Sequence, residues 1–170
     1  MHTADLSSAA LSDLRRLLDE VFGDDFSDDD FDHALGGIHV MAEDTEGRLI
    51  GHAAVVARRL HHAGRWRRVG YVEAVAVAPD AQRNGIGGLV MDDVAAIIVT
   101  GYEFGALSAS DAGRSLYLRR GWVPWTGTLV ALSVAGLEPT PDDRGSVMVW
   151  GLPDAPGQTL IADMRDGDPW

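Results

Sequence analysis

A glycine-rich turn between a predicted strand and a predicted helix is the strongest chemical signal in this 170-residue chain. The turn reads Gln82-Arg83-Asn84-Gly85-Ile86-Gly87-Gly88 and follows Pro79, which ends a β-branched segment. Free N–H groups at a helix N-terminus converge on one point, and the helix dipole favours negative charge there. The spacing differs from the dinucleotide fingerprint and from the phosphate loop of nucleotide hydrolases. We therefore predict a phosphate or pyrophosphate site, with glycines that serve helix packing alone as the alternative.

One acid before this turn is suited to general-base chemistry. Glu73 is the one Asp or Glu between Arg67 and Ala78, and its neighbours are Val, Ala and Tyr. An amine is mostly protonated at pH 7, so its attack on an acyl group needs a proton acceptor, directly or through water. Partial burial would raise the pKa of the carboxyl towards neutrality. Glu73 is thus a candidate base; the alternative is a solvent-facing residue on a sheet edge.

Composition excludes several other chemistries. The chain has no Cys, which excludes disulfides and thiol nucleophiles, and its 14 basic residues are all Arg, which excludes Schiff-base chemistry. The 26 acids give a net charge of −12, which is expected to repel nucleic acid and anionic membranes and to attract polycations. Five Arg between Arg58 and Arg68 are interpreted as a solvated face. The histidines have no metal-ligand spacing, so we expect no metal.

The spacing of apolar residues predicts the elements that position this chemistry. Strands are predicted at Ile38–Glu43, Leu49–Leu60, Arg67–Ala78, Phe104–Ser108, Trp122–Val134, Ser146–Leu152 and Thr159–Met164. Helices are predicted from a Ser7 or Ser8 cap to Phe22, from Ser27 to Leu35, at Gly87–Val99 and at Ala112–Arg120. The third helix is expected to bury Leu89, Val90, Val94, Ile97 and Ile98. This order predicts a single α/β (α+β) domain over residues 1–170, with a mixed central sheet flanked by helices. With no apolar run long enough for a membrane span, a cytoplasmic protein is expected.

The chain resembles a known family along its whole length. Val77-Ala78-Pro79 followed by the turn at residues 82–87 is similar to motif A of the GNAT acyltransferase superfamily. Further segments resemble the aminoglycoside 2′-N-acetyltransferases within it: residues 24–26, 33–37, 70–77, 105–108, 116–122, 140–143 and 167–170. Members of that family carry a longer amino-terminal strand than this sequence shows, so the presence of their first strand is left open.

The resemblance implies a GNAT fold, acetyl-CoA as cosubstrate and a homodimer. In the family the matching turn holds the pyrophosphate of acetyl-CoA, which assigns these residues to the cofactor: Val75, Val77, Gln82, Arg83, Asn84, Gly85, Gly87 and Gly88. The glutamate that matches Glu73 is the family's proposed base, acts through ordered water and also contacts substrate. Other positions that match sugar-binding residues are Asp25, Ser108, Asp143, Asp168 and Trp170 with its terminal carboxylate.

A tyrosine is expected beside the departing thiolate, because a phenol can supply a proton or a strong hydrogen bond. Tyr71, Tyr102 and Tyr117 are the candidates, and each is equally suited to be a core aromatic. The position of Tyr117 after the predicted strand Phe104–Ser108 matches the GNAT tyrosine near the sulfur. The absence of Cys favours direct transfer in a ternary complex over a covalent acetyl-enzyme.

The implied reaction is acetyl transfer from acetyl-CoA to the 2′-amine of aminoglycosides. Because one exposed ion pair contributes only about 0.2–1 kcal/mol, recognition of these polycations needs several acids together. Two alternatives are open: a GNAT enzyme for another polyamine or a cell-wall amino sugar, and a catalytically silent domain that binds acetyl-CoA or cations.

Overall fold

The computed structural model describes residues 1–152 and 157–170. The chain forms two compact units, each built from two segments. Unit 1 comprises Met1–Val56 and Val72–Ile97, and unit 2 comprises Ala57–Tyr71 and Ile98–Trp170. None of the helices in the described part of the chain has the length and apolarity needed to cross a membrane.

Two capped helices begin unit 1. Helix α1 spans Ser8–Phe22, and helix α2 spans Asp28–Ala34. The Ser7 hydroxyl accepts a hydrogen bond from an amide of the first turn of α1, and Ser27 begins α2 with a reciprocal capping box. These caps satisfy N–H groups that a helix leaves without partners. The apolar face of α1 is buried against strand residues in one cluster: Leu14, Leu17, Leu18, Leu49, Ile50, Ala76 and Ala78.

Three strands follow, two of which also run into unit 2. Strand β1 spans Ile38–Glu43, β2 spans Leu49–His62 and β3 spans Arg65–Val77. Strand β1 pairs antiparallel with the first half of β2, from Ile38 opposite Val55 to Glu43 opposite Leu49. At the tip of the hairpin between β2 and β3, Ala63 and Gly64 have φ angles of 50° and 81°. Two successive positive φ angles match the twist of a two-residue hairpin.

Strand β3 contains an unusual backbone conformation beside the candidate base. Ala74 has a φ of 51°, in the left-handed region that a residue with a Cβ rarely adopts. A residue held there costs on the order of 1–2 kcal/mol. Residues 69–72 are all buried and residues 73–75 are all half-buried, so the side chains in this part of β3 do not alternate between buried and exposed.

Two buried histidines connect this point of β3 with the other strands of unit 1. His52 Nδ1 lies 2.8 Å from the carbonyl oxygen of Ala74, and its Nε2 lies 2.9 Å from His39 Nδ1. His39 Nε2 lies 2.7 Å from the Thr3 hydroxyl. The two rings are 2% and 0% exposed, so this polar chain is excluded from water.

Strand β2 approaches helix α3, Ile86–Gly101, closely at Gly51. A Cβ at Gly51 would lie 2.7 Å from Ile86 Cγ2, so a larger residue would force the Ile86 side chain to move. The predicted buried face of α3 is wrong in one position: Leu89 is 65% exposed, whereas Met91 is buried. A spacing of three to four residues defines a face but leaves its edges open, and here the helix is rotated towards Met91.

Unit 2 is built on a mixed sheet. Its remaining elements are β4 (Phe104–Ser108), α4 (Asp111–Leu118), β5 (Val123–Pro124), β6 (Leu129–Ser133), β7 (Gly136–Pro139), β8 (Val147–Trp150) and β9 (Leu160–Ala162). The strand order is β5-β8-β4-β3-β2-β9-β6-β7. Strand β4 is parallel to β3 and β9 is parallel to β6, while β8 is antiparallel to β4. The predicted mixed α/β architecture is confirmed.

The continuous strand predicted at Trp122–Val134 is wrong. It is divided into β5 and β6, and the indole of Trp125 between them is buried. At Gly127 the chain passes against the backbone of Gln158 so closely that a Cβ has no room. The bend therefore depends on a contact with a distant segment, and strand β7 was not predicted.

We predict that His52 makes folding stability sensitive to acid. Burial lowers the pKa of His52 from 6.5 to about 3, while the hydrogen bond to the Ala74 carbonyl partly opposes this shift. Between these values the unfolded chain binds one proton more than the folded chain. The stabilisation by neutral His52 is therefore complete above about pH 6.5 and is lost as the pH falls towards about 3.

Urea unfolding of wild type and His52→Gln between pH 7 and pH 4 tests this prediction. The difference in unfolding free energy is expected to change by about 1.4 kcal/mol per pH unit below pH 6. His61→Gln, on the same strand, is the control. Parallel pH dependences for wild type and His52→Gln would contradict the prediction.

Candidate active site

The turn before α3 has the backbone geometry of an anion site. Arg83 and Gly85 have positive φ angles of 63° and 84°. The amide of Leu89 donates to the Gly85 carbonyl at 3.1 Å, so α3 begins directly after this glycine. The N–H groups of residues 86–88 belong to the first helical turn, where a helix supplies no acceptor. No heavy atom of the described residues lies within 4 Å of the position a Cβ would take at Gly85, so this side of the turn is open.

The end of β3 is tied to the same turn. The Gln82 side-chain amide donates to the Val77 carbonyl at 3.1 Å, and the Ala78 amide donates to the Ile50 carbonyl at 2.9 Å. Val75 and Val77 are half-buried on this part of the strand, while Arg83 and Asn84 are exposed. Strand and turn thus form one connected segment that contains every predicted cofactor residue.

Glu73 lies on the same strand, half-buried and directly before the left-handed Ala74. A positive φ in a strand changes which face the neighbouring side chains take. The orientation of the Glu73 carboxylate therefore depends on the backbone at Ala74. Asp25, the other predicted site residue of unit 1, lies exposed in a 3₁₀ turn, Gly23–Asp25.

In unit 2 the three tyrosines have different environments. Tyr117 on α4 is buried edge-on to Trp122, and burial raises the pKa of its phenol to about 12. Tyr71 is covered by two guanidinium groups, with Arg58 Cζ 4.6 Å and Arg165 Cζ 5.6 Å from its ring centroid. Burial also raises the pKa of Tyr102, whose ring packs at Gly70. Tyr71 thus lies against two cations, while burial keeps the phenols of both Tyr102 and Tyr117 protonated.

Several acids predicted to bind a polycation lie close together in unit 2. The pKa of Asp143 is raised by partial burial and by the nearby carboxylates of Asp168 and Asp142, while a hydrogen bond from Thr140 lowers it. A bound cation would relieve this repulsion between carboxylates. Ser108 is exposed at the end of β4, where it pairs with Val147.

The last residues of the chain are anchored to unit 2. The Trp170 indole is 4% exposed and donates to the Thr140 hydroxyl at 2.8 Å. The Trp170 amide lies 3.2 Å from an Asp168 carboxylate oxygen, which therefore accepts its hydrogen. The Asp168 carbonyl accepts a hydrogen bond from Arg165 Nε at 2.6 Å. These contacts hold the Asp168 carboxylate beside the segment that carries Asp143.

Arg58 supports this tail, and the sequence interpretation of its cluster as a solvated face is wrong for it. Its side chain is buried on β2, with Nη2 2.7 Å from Asp163 Oδ1. Its Nη1 donates to the Pro169 carbonyl at 2.9 Å. The sequence did not indicate the role of Arg58, because this residue lies among four other arginines. Its partner is 105 residues away, so no local pattern marks the contact.

Comparisons with known proteins agree with this arrangement. A family model described as an acetyltransferase (GNAT) domain matches residues 3–124. An aminoglycoside 2′-N-acetyltransferase from Mycolicibacterium fortuitum is 45% identical over 177 residues, which cover 100% of this chain and 90% of that protein.

Solved structures share the fold at low identity. The GNAT family N-acetyltransferase YhbS from Escherichia coli, in complex with CoA, has a TM-score of 0.63 at 18% identity, and the match covers 92% of this chain and 86% of that one. Eis1 from Mycobacterium abscessus has a TM-score of 0.61 at 22% identity and covers 74% of this chain. This chain matches 32% of the length of Eis1.

The fold and the family model that matches residues 3–124 define a GNAT acetyltransferase. Within that superfamily the chain belongs to the aminoglycoside 2′-N-acetyltransferase family, and the family resemblance of the sequence is thereby confirmed.

We predict that Arg58→Gln releases the tail without unfolding the protein. Loss of one partner leaves Asp163 without its ion pair, at a cost of about 2–4 kcal/mol, because Asp163 is partly exposed and can be rehydrated. Hydrogen exchange of a peptide covering residues 163–170 is expected to accelerate, while α1 exchanges as in wild type. The neighbouring Arg59→Gln is the matched control. Unchanged exchange of the tail in a folded Arg58→Gln protein would show that Arg58 does not hold it.

Proposed function

We propose that the protein transfers the acetyl group of acetyl-CoA to the 2′-amino group of aminoglycoside antibiotics, and so confers resistance to them. The observation that carries the proposal is the 45% identity, over the whole chain, to a relative named for this reaction. The chain supplies each part that the reaction needs: an anion site, a candidate base, a hydrogen-bond donor for the leaving group and a group of acids.

The cosubstrate fits the turn before α3. Its pyrophosphate would accept hydrogen bonds from the first amides of α3, with Gln82, Arg83, Asn84, Gly85, Gly87 and Gly88 around it. The open space at Gly85 gives the phosphates room to reach the backbone. Val75 and Val77 offer the backbone hydrogen-bonding groups of β3 to the rest of acetyl-CoA. When bound, acetyl-CoA supplies the thioester whose carbonyl carbon the amine attacks.

Glu73 is assigned the role of accepting a proton from the attacking amine. The 2′-ammonium group must lose a proton before its nitrogen can attack, and a half-buried carboxylate can accept it directly or through water. The same negative charge attracts the ammonium group to the position where it reacts. Glu73 thereby combines substrate binding with general-base catalysis.

Tyr117 is assigned to the departing sulfur as a hydrogen-bond donor. The phenol has a pKa of about 12, whereas an ordinary thiol has a pKa of about 8.5. Complete proton transfer from Tyr117 Oη to the thiolate is therefore uphill. A hydrogen bond from a buried phenol stabilises the developing negative charge without that transfer.

The acids of unit 2 are assigned to the other ammonium groups of the drug. Asp143 and Asp168 lie close enough to repel each other, and a polycation satisfies both carboxylates together. Trp170 keeps Asp168 in place. The remaining proposed contacts to the drug are the terminal carboxylate of Trp170, Asp25 and the Ser108 hydroxyl. A cytoplasmic location stays a prediction from the sequence, and a homodimer stays a prediction from the family resemblance. Size-exclusion chromatography with light scattering is the direct measurement of the oligomeric state.

The position of acetylation tests the proposed function. Tobramycin has an amine at the 2′ position, whereas kanamycin A has a hydroxyl there. Thiol release from acetyl-CoA is therefore expected with tobramycin and not with kanamycin A, and NMR of the product should place the acetyl group on the 2′ nitrogen. Acetylated kanamycin A would favour a less selective polyamine acetyltransferase. Release with neither drug, nor with other polyamines, would favour a silent acetyl-CoA-binding domain.

Replacement of Glu73 by Gln tests the assignment of the base. We expect kcat to fall by about 10²-fold or more at neutral pH, since general-base catalysis typically contributes about 10²–10⁴-fold. Acetyl-CoA affinity, measured by calorimetry, should stay the same because the turn at residues 82–88 is intact. Glu43→Gln, at an exposed acid on β1, is the control. Wild-type turnover by Glu73→Gln from pH 6 to 9 would remove Glu73 from the mechanism.

A further inference from the structure

The chain of hydrogen bonds through His39 and His52 has a defined direction. A carbonyl oxygen only accepts, so His52 Nδ1 donates to Ala74 at 2.8 Å. In a neutral ring the other nitrogen is then an acceptor, so His39 Nδ1 donates to His52 Nε2 at 2.9 Å. By the same reasoning the Thr3 hydroxyl donates its one hydrogen to His39 Nε2 at 2.7 Å in preference to the Gly37 carbonyl at 3.3 Å, and it accepts from the Gly36 amide at 2.9 Å. Each hydrogen bond in the series from Thr3 through His39 and His52 is donated in the direction of the Ala74 carbonyl.

The protein environment keeps both rings neutral, as this direction requires. Burial lowers the pKa of His52 to about 3. Burial also lowers the pKa of His39, and the positive charges of the Met1 amine and of His2 add to the effect. A protonated His52 would have no acceptor nitrogen for His39, so protonation would break the chain of hydrogen bonds.

The hydrogen-bond chain ends at the one residue of β3 whose backbone is left-handed within Arg65–Val77. The Ala74 conformation is disfavoured for alanine, so it requires interactions that hold it. The bond from His52 supplies the Ala74 carbonyl with a buried donor at this irregular point. Glu73 is the preceding residue, and rotation of the backbone at Ala74 would therefore displace its carboxylate.

We propose that His52, oriented by His39, is a positioning residue that holds the left-handed turn at Ala74 and thereby aims the Glu73 carboxylate. The proposal rests on the role of Glu73 in the proposed function. His52 acts on the backbone of β3 and takes no proton from substrate. This proposal gives a role to the two neutral histidines in the core of unit 1, which take no part in the proposed chemical steps.

The test combines loss of the donor with relief of the strain. His52→Leu removes the hydrogen bond to Ala74, and we expect kcat to fall about tenfold to a hundredfold, as misplacement of a reacting group can do. The KM for acetyl-CoA is expected to stay near that of wild type. Adding Ala74→Gly should restore a large part of kcat, because glycine adopts a positive φ without being held. His61→Leu, elsewhere on β2, is the matched control.

Hydrogen exchange of residues 72–76 in the enzyme without substrates gives a readout that needs no reaction. Exchange is expected to accelerate in His52→Leu, and ¹⁵N NMR of wild type should find both rings neutral with the proton on Nδ1. These measurements stand even if no aminoglycoside is acetylated, so they separate failure of this proposal from failure of the proposed function. Unchanged exchange and kcat in a folded His52→Leu protein, or no recovery with Ala74→Gly, would overturn the proposal.

His52→Gln covers the case in which His52→Leu does not fold. The side-chain amide can donate to the Ala74 carbonyl and accept from His39, so exchange protection and kcat are expected within about threefold of wild type. A folded His52→Gln protein that keeps its protection but loses as much kcat as the Glu73→Gln variant would show that His52 does more than position the backbone, and would overturn the proposal.

Discussion

Satisfaction of backbone groups along strand β3 is the constraint on which the candidate site depends. The strand carries Glu73, departs from regular geometry at Ala74 and ends in the turn that begins α3. The Ala74 carbonyl lies at this irregular point of the strand, and a carbonyl shielded from water is costly without a donor. The donor comes from His52 in the core of unit 1. Packing of three strands and the amino-terminal segment is thereby coupled to the position of the candidate base.

The same physical rule operates in unit 2 with charged groups. The buried Arg58 guanidinium finds acceptors on Asp163 and on the Pro169 carbonyl, and its face covers Tyr71. Burial of this cation is possible because each of these partners is in place. Asp143 and Asp168, in contrast, are close carboxylates: partial burial, and then the charges of Asp168 and Asp142, raise the pKa of Asp143. Unit 2 thus pairs its buried cation internally, whereas the Asp143 carboxylate lies beside other negative charges.

Local sequence patterns predicted most elements because their causes are local. Ser7 and Ser27 cap helices through hydrogen bonds to residues three positions away. Ala63 and Gly64 form a two-residue hairpin turn, in which both have positive φ angles. The turn before α3 was predicted for the same reason. The exposure of Leu89 and the bend after Trp125 were not predicted, because each depends on a surface contributed by a distant part of the chain.

The sequence by itself determined the mixed α/β class, the family, the glycine-rich turn before α3 and the residues with suitable chemistry. Those properties follow from residue type and short-range spacing, which the chain carries in any conformation. Tertiary structure alone decided that the Tyr71 ring contacts two arginines, that the Tyr117 phenol is buried, and that Arg58 binds a tail 111 residues away. It also decided that His39 and His52, on β1 and β2, form a hydrogen-bonded pair that reaches the backbone carbonyl of Ala74, next to Glu73. Burial and long-range hydrogen bonds exist only after distant segments have come together, and for this reason no local pattern encodes them.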